Sequence, residues 1–227
     1  MENRKSAYGV ILIVIISGLI MAYIDAIISP PYFIKSIFKI ITFLALPFLL
    51  CRFNKSLSFK SVFKLDRKSL KVSLALGIAV YIIIIIIGAY FTLGGFFDFS
   101  NVTKALNSNM GVNARNFVYV ALYISFINSL LEEFFFRGFA FLNLKRVFSK
   151  RFAYVFSSIS FALYHIAMMV SWFDPILFVL LIVSLFCAGM LFDWLNDKYE
   201  NIYCSWLVHM CANFAINTVG FMLFEII

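Results

Sequence analysis

The sequence predicts an all-α fold: a polytopic transmembrane helical bundle of about seven spans with a cytoplasmic N-terminus. Three observations carry that reading. Hydrophobic residues make up 63% of the chain and charged residues 13%, about half the charged share of soluble domains. Apolar runs of about 20 residues, long enough to cross a bilayer, recur along the 227 positions. Lys and Arg gather in alternate connections between those runs, as they do in cytoplasmic loops.

Taken in order, the candidate helices lie near 8–28, 32–50, 72–93, 116–142, 152–172, 175–195 and 202–226. The first follows Glu-Asn-Arg-Lys, but it is too long for a signal-peptide core and lacks a small-x-small cleavage site, so it reads as an uncleaved span with Asp25 near its outer end. The second begins after Pro30-Pro31 and carries Lys35 and Lys39, which suggests a tilted or partly interfacial helix. Asn217 and Gly220 are potential breaks in the last. Gly94 to Asn113 is the longest external loop, either covering the bundle or merely connecting helices.

With the N-terminus inside, fourteen basic residues fall in the cytoplasm, among them seven from Arg52 to Lys71. Only Lys104 and Arg115 fall outside, and Lys35, Lys39 and Arg137 lie within spans. The net charge of +8 is thus spread over short juxtamembrane clusters, not one basic face with interleaved aromatics, and it points to topology and anionic lipid instead of nucleic acid. Leu57 to Lys71 suits an amphipathic helix lying in the inner interface, and equally a plain basic loop. Cys51, Cys187, Cys204 and Cys211 show no pairing or metal-ligand spacing and read as buried thiols. Without repeats or a polar stretch large enough for a separate core, residues 1–227 read as one membrane-embedded domain.

Within the fourth run stands Glu132-Glu133-Phe-Phe-Phe-Arg137. Charged groups at membrane depth are costly unless they pair or line a watery cavity, so such a cluster marks a functional site by default. The chain's two histidines, His165 and His209, also fall inside spans. At 1.5 Å per residue, Glu132 lies roughly 15 Å, His165 roughly 20 Å, His209 roughly 11 Å and Asn213 roughly 17 Å from the inner ends of their helices. Three helices thereby bring polar groups to one layer. His209 and Asn213 are four residues apart on one face, as are Glu133 and Arg137, which can form an ion pair. Glu132 points about 100° away and is left free.

Desolvation of a carboxylate not paired with Arg raises its pKa towards the working pH, which suits a general base. The residues therefore predict that Glu132, helped by His165, activates a water against a carbonyl while His209 and Asn213 stabilise the oxyanion. Interhelical ion pairs without chemistry and a proton or ion path remain open. No repeat-related broken helices favour a transporter. Glu132, His165 and His209 would suffice for zinc with a water, yet no His-Glu-x-x-His run occurs and Arg137 would compete with a cation, so neither metal nor cofactor is expected.

These motifs resemble those of the CAAX protease and bacteriocin-processing (CPBP) family, intramembrane glutamic endopeptidases that include the CAAX prenyl proteases. Glu-Glu-x-x-x-Arg appears as Glu132, Glu133 and Arg137, Phe-x-x-x-His as Phe161 to His165, and His-x-x-x-Asn as His209 to Asn213. The resemblance covers about 117–219, which forms the family-like core; the three helices before it carry no such signature. It implies that Glu132 with His165 activates water, that Glu133 and Arg137 hold the site together, and that His209 and Asn213 form the oxyanion hole.

The expected activity is hydrolysis of a peptide bond of a membrane-associated peptide or protein, near the cytoplasmic face and reached from that side. The many Ile, Lys, Phe and Asn residues fit an AT-rich bacterial genome and hence a bacterial cell membrane. There the resemblance implies peptide pheromone or bacteriocin processing, or self-immunity. A non-catalytic immunity or scaffold protein that binds a partner in the bilayer is the alternative.

Overall fold

The computed structural model describes residues 2–54, 56–57, 62–95, 99–170 and 172–227. Among them it is all-helical. Seven helices are long and apolar enough to cross a membrane: α1 (Arg4–Ile28), α2 (Tyr32–Phe53), α3 (Arg67–Thr92), α5 (Phe117–Leu144), α6 (Lys150–Met169), α7 (Pro175–Tyr199) and α8 (Tyr203–Leu223). A shorter helix, α4 (Ser100–Met110), lies in the long connection before α5. Its Leu106 and Met110 pack with Tyr32 of α2 against Val112 and Phe117.

The punctuation of the helices follows local chemistry. Asp66 caps α3 by accepting from the backbone N–H groups of Lys68 and Ser69. Ser149 caps α6, and Asp174 caps α7 just before Pro175, whose missing N–H is harmless in a first turn. The second span is a full-length helix despite its two lysines, because both are buried against polar partners. Asn217 and Gly220 do not break α8. Asn217 donates to Ala121 O and Ser125 Oγ on α5, and the bare Gly220 backbone receives the Phe117 ring. Of the segment read as a possible interfacial helix, 58–61 lie outside the described residues. Val62 and Phe63 form a turn, 64–66 are irregular, and Val62 is wholly buried.

Successive spans joined by short connections alternate in direction, giving the bundle two ends. At the N-terminal end Lys145 and Lys150 pair with Asp197, and Ile202 N–H donates to Val62 O. At the far end Phe117 packs against Phe221 and Phe224. The core is aromatic and centred on α5. Every residue from 131 to 144 is buried, with Phe43 of α2 stacked on Phe135 at 4.1 Å.

Candidate active site

Wide i→i+5 turns interrupt the α-helical register at Ile41–Ala45 of α2 and at Ile124–Asn128 and Glu133–Phe141 of α5. Such π-type segments are uncommon and concentrate at functional sites. Here they include or adjoin Lys39, Asn128, Glu132 and Glu133, so the two helices that meet at the Lys39–Glu132 pair both carry irregular turns beside it.

Glu132 is 2% exposed, and its two oxygens face different surroundings. Oε1 accepts from Lys39 Nζ at 2.7 Å and from Asn128 Nδ2 at 3.0 Å, while the same ammonium donates to Asn128 Oδ1 at 2.6 Å. The expectation of a free Glu132 is corrected by this pair. Two lysines that suggested an interfacial α2 instead turn inward, because an ammonium in an apolar layer is tolerable only beside an anion. Oε2 faces His209 Nε2 at 3.7 Å and His165 Nε2 at 4.0 Å. Both gaps exceed a direct hydrogen bond.

The other ring nitrogens fix the histidines. His165 Nδ1 lies 2.8 Å from Phe161 O, a carbonyl that only accepts, so Nδ1 holds the proton in the neutral ring and Nε2 presents its lone pair towards Oε2. His209 Nδ1 lies 2.9 Å from Glu133 Oε1. Its ring stacks on Phe192 at 5.0 Å and meets Phe161 edge-on. The Phe of the Phe-x-x-x-His motif therefore sits between both histidines and also lies 4.3 Å from the Arg137 guanidinium.

Glu133 shares His209 with Glu132 and otherwise faces Arg137. Arg137 Nη1 is 3.4 Å from Glu133 Oε1, as the four-residue spacing predicts, and its Nε is 3.5 Å from Asp193 Oδ1 on α7. Asp193 in turn accepts from Ser157 and Ser158 of α6 at 2.9 and 3.0 Å. Glu133, Arg137 and Asp193 are completely buried.

Of the six residues singled out by the motifs, Glu132, Glu133, Arg137, His165 and His209 converge in one layer. Asn213 stands apart from these contacts, its amide donating to Ile124 O in a wide turn of α5 at 3.3 Å. Lys39, Asn128 and Asp193 complete the cluster without having been marked by a motif. Their signal was burial of charge in a span: Lys39 and Asp193 each needed an opposite charge. Among the described residues, no three His, Cys, Asp or Glu side chains are arranged to hold a metal ion.

Residues 114–215 match the family model described as type II CAAX prenyl endopeptidase, Rce1-like. The matched segment includes all six motif residues and excludes Lys39. No curated protein matches the chain.

Proposed function

We propose, from the match of residues 114–215 to the Rce1-like type II CAAX prenyl endopeptidase model, that the protein is an intramembrane endopeptidase in which Glu132 activates the attacking water. The observation that supports this most is the division of labour on Glu132: one oxygen is bound by Lys39 and Asn128, while the other faces two histidine nitrogens at 3.7 and 4.0 Å.

A water between these groups donates one hydrogen to Glu132 Oε2 and the other to His165 Nε2, leaving an oxygen lone pair for attack. Glu132 takes the proton as the oxygen bonds to the scissile carbonyl carbon, and the carbonyl π electrons move onto oxygen. The oxyanion then accepts a hydrogen bond from His209 Nε2–H, with Asn213 contributing the second hydrogen of its amide. Collapse re-forms the carbonyl, breaks the C–N bond and returns the proton from Glu132 to the departing amine.

His209 keeps Nε2–H for the oxyanion while its Nδ1 shares a hydrogen with Glu133 Oε1. Glu133 and Arg137 hold the site, and Lys39 orients the base. The substrate is a membrane-associated peptide, cleaved in the plasma membrane of a bacterium where the N-terminus is inside. Processing of secreted peptides or self-immunity fits that setting.

The test is cleavage of randomised amphipathic peptides by the purified protein in lipid nanodiscs, with Glu132→Ala and His165→Ala as comparisons and with and without chelator. Cleavage by wild type, lost in both variants and indifferent to chelator, is the expected result. Retention of the cellular phenotype by folded Glu132→Ala would overturn it in favour of a binding role, and loss with chelator would replace the glutamate mechanism by a metal one.

A further inference from the structure

Two side chains that no motif marks, Lys39 and Asn128, meet on one oxygen of Glu132. Lys39 comes from α2 and lies outside the matched segment 114–215, whereas Asn128 is inside it, four residues before Glu132 on α5. The three side chains close a triangle. Lys39 Nζ is 2.7 Å from Glu132 Oε1 and 2.6 Å from Asn128 Oδ1, and Asn128 Nδ2 is 3.0 Å from the same Oε1. All three residues are at most 9% exposed, so water offers them little competition.

The triangle closes in only one sense. An ammonium only donates, so the Asn128 carbonyl oxygen must face Lys39, and the amide nitrogen is thereby turned to the carboxylate. Flipping the amide would lose both bonds. The ammonium also lies against the rings of Tyr164 at 4.7 Å and Phe43 at 5.6 Å, which hold the cation from α6 and α2. The backbone serves the same end. Ser129–Glu132 is a short α-helical stretch between the wide turns Ile124–Asn128 and Glu133–Phe141, and it keeps Asn128 and Glu132 on one face. A wide turn placed between them would rotate Asn128 away by about 100°.

A carboxylate oxygen offers two lone pairs. On Oε1 one is taken by Lys39 and the other by Asn128, while Oε2 faces His209 Nε2 at 3.7 Å and His165 Nε2 at 4.0 Å across gaps that a water can bridge. With Lys39 alone, one lone pair of Oε1 would stay open to a water or a proton. Either oxygen could then act as the base.

We infer that Asn128 is a positioning residue that acts through Glu132: by filling the second lone pair of Oε1 beside Lys39, it makes Oε2 the one basic oxygen. The inference rests on the endopeptidase reading above and specifies its proton path. As water attacks, its O–H bond breaks and Oε2–H forms on the side of the carboxylate that faces the histidines. As the C–N bond breaks, Oε2–H breaks and an N–H of the departing amine forms on that same side. Asn128 acts on Glu132 and not on the peptide, so its loss lowers the share of productive carboxylate geometries and leaves substrate binding alone.

The test is steady-state cleavage in nanodiscs of the peptide that wild type cleaves best from the randomised mixture, with melting curves to count folded protein. Asn128→Leu removes the amide at nearly constant volume, and kcat per folded molecule should fall about tenfold with KM within about twofold of wild type. Asn128→Gln keeps the amide on one more methylene and should retain more kcat than Asn128→Leu. A residue that served packing alone would give the opposite order, because Leu fits the space and Gln overfills it. Lys39→Met combined with Asn128→Leu should lose less than the product of the two single losses, since both act on one oxygen. Wild-type kcat in folded Asn128→Leu, or a higher kcat in Asn128→Leu than in Asn128→Gln, overturns the inference and leaves the endopeptidase reading standing when Glu132→Ala is inactive beside it. No cleavage by wild type overturns both.

Discussion

Glu132 and Glu133 are neighbours in the chain but belong to two unlike halves of the cluster. Glu133 holds His209 on one side and on the other faces a closed cage: Arg137, backed by Asp193, two serine hydroxyls and the rings of Phe161 and Phe192, all buried. Glu132 faces a half with one bound oxygen and one oxygen held short of two histidines. The same side chain at the same depth can thus be a packing element or a chemical one, and the difference lies in the surroundings: Glu133 is enclosed by fixed charges and rings, whereas Glu132 Oε2 faces two histidine nitrogens across gaps that a water can bridge. Removing a group from the closed half should chiefly cost folding; removing one from the open half should chiefly cost turnover.

The largest effect expected is on turnover. Glu132→Ala should lower kcat/KM by about 10³-fold per folded molecule, the contribution of a positioned general base, beyond the stability lost when the buried Lys39 ammonium is left with Asn128 alone. Steady-state cleavage beside a melting curve in the same nanodiscs checks both. A large fall in melting temperature with activity per folded molecule preserved would erase the distinction between the two carboxylates.

Asp193→Ala should give the reverse pattern. It leaves Arg137 with one anion and Ser158 without its carboxylate acceptor, while Ser157 keeps only Phe136 O, and breaking a buried charge network from one side costs about 3–5 kcal/mol. Thermal unfolding should show a marked destabilisation, while activity per folded molecule falls far less than in Glu132→Ala. A stable but inactive Asp193→Ala would move Asp193 into the open half.

Lys39 sharpens the comparison because it lies outside the matched family segment. Lys39→Met should reduce kcat by about ten- to a hundredfold, the worth of a hydrogen bond between charged groups, and Lys39→Arg should restore part of it. Rescue by Arg but not by Gln would separate a charge requirement from packing. Unchanged kcat in Lys39→Met would return Lys39 to a purely structural role.

Much of this was legible in the sequence. Apolar run length specified all seven spans, because hydrocarbon thickness imposes one length on every helix. Glu133 and Arg137 could be paired from a four-residue spacing, and depth along three helices brought Glu132, His165 and His209 together. Lys39 and Asp193 could not be placed this way, since their partners are far away in sequence, across interfaces whose rotation no single helix specifies. Asn213 illustrates the converse: its spacing from His209 fixes a shared face, yet the wide turn at Ile124–Asn128 presents a carbonyl that takes its amide.

A smaller effect follows from the helix contact behind the closed half. Gly189 lets α7 approach α6 so closely that a methyl there would stand 2.9 Å from Ser158 Cα, and its carbonyl accepts from Arg137 Nη2. Gly189→Ala should therefore cost about 1–3 kcal/mol through overpacking. Because backbone cannot yield as a side-chain tip can, the strain should be relieved by moving Ser158 away from Asp193. Gly220→Ala is the internal control: its methyl would press on the Phe117 ring near the far end, and a loss as large as that of Gly189→Ala would show that tight contact alone, not the charge cage behind it, sets the cost.

The smallest effect lies outside the membrane, at Asp66. Its carboxyl is held below the ordinary 3.8 chiefly by the Ser69 backbone N–H, with Lys68 N–H adding to it. A lowered folded value means that the ionised cap stabilises α3 above the unfolded value and that this contribution disappears as pH falls through the folded one. Melting temperatures between neutral pH and pH about 3 should fall slightly more for wild type than for Asp66→Asn, whose amide oxygen still caps but does not titrate. An identical fall in both would mean that the cap is irrelevant to acid stability, leaving the buried carboxylates of the two halves to account for all of it.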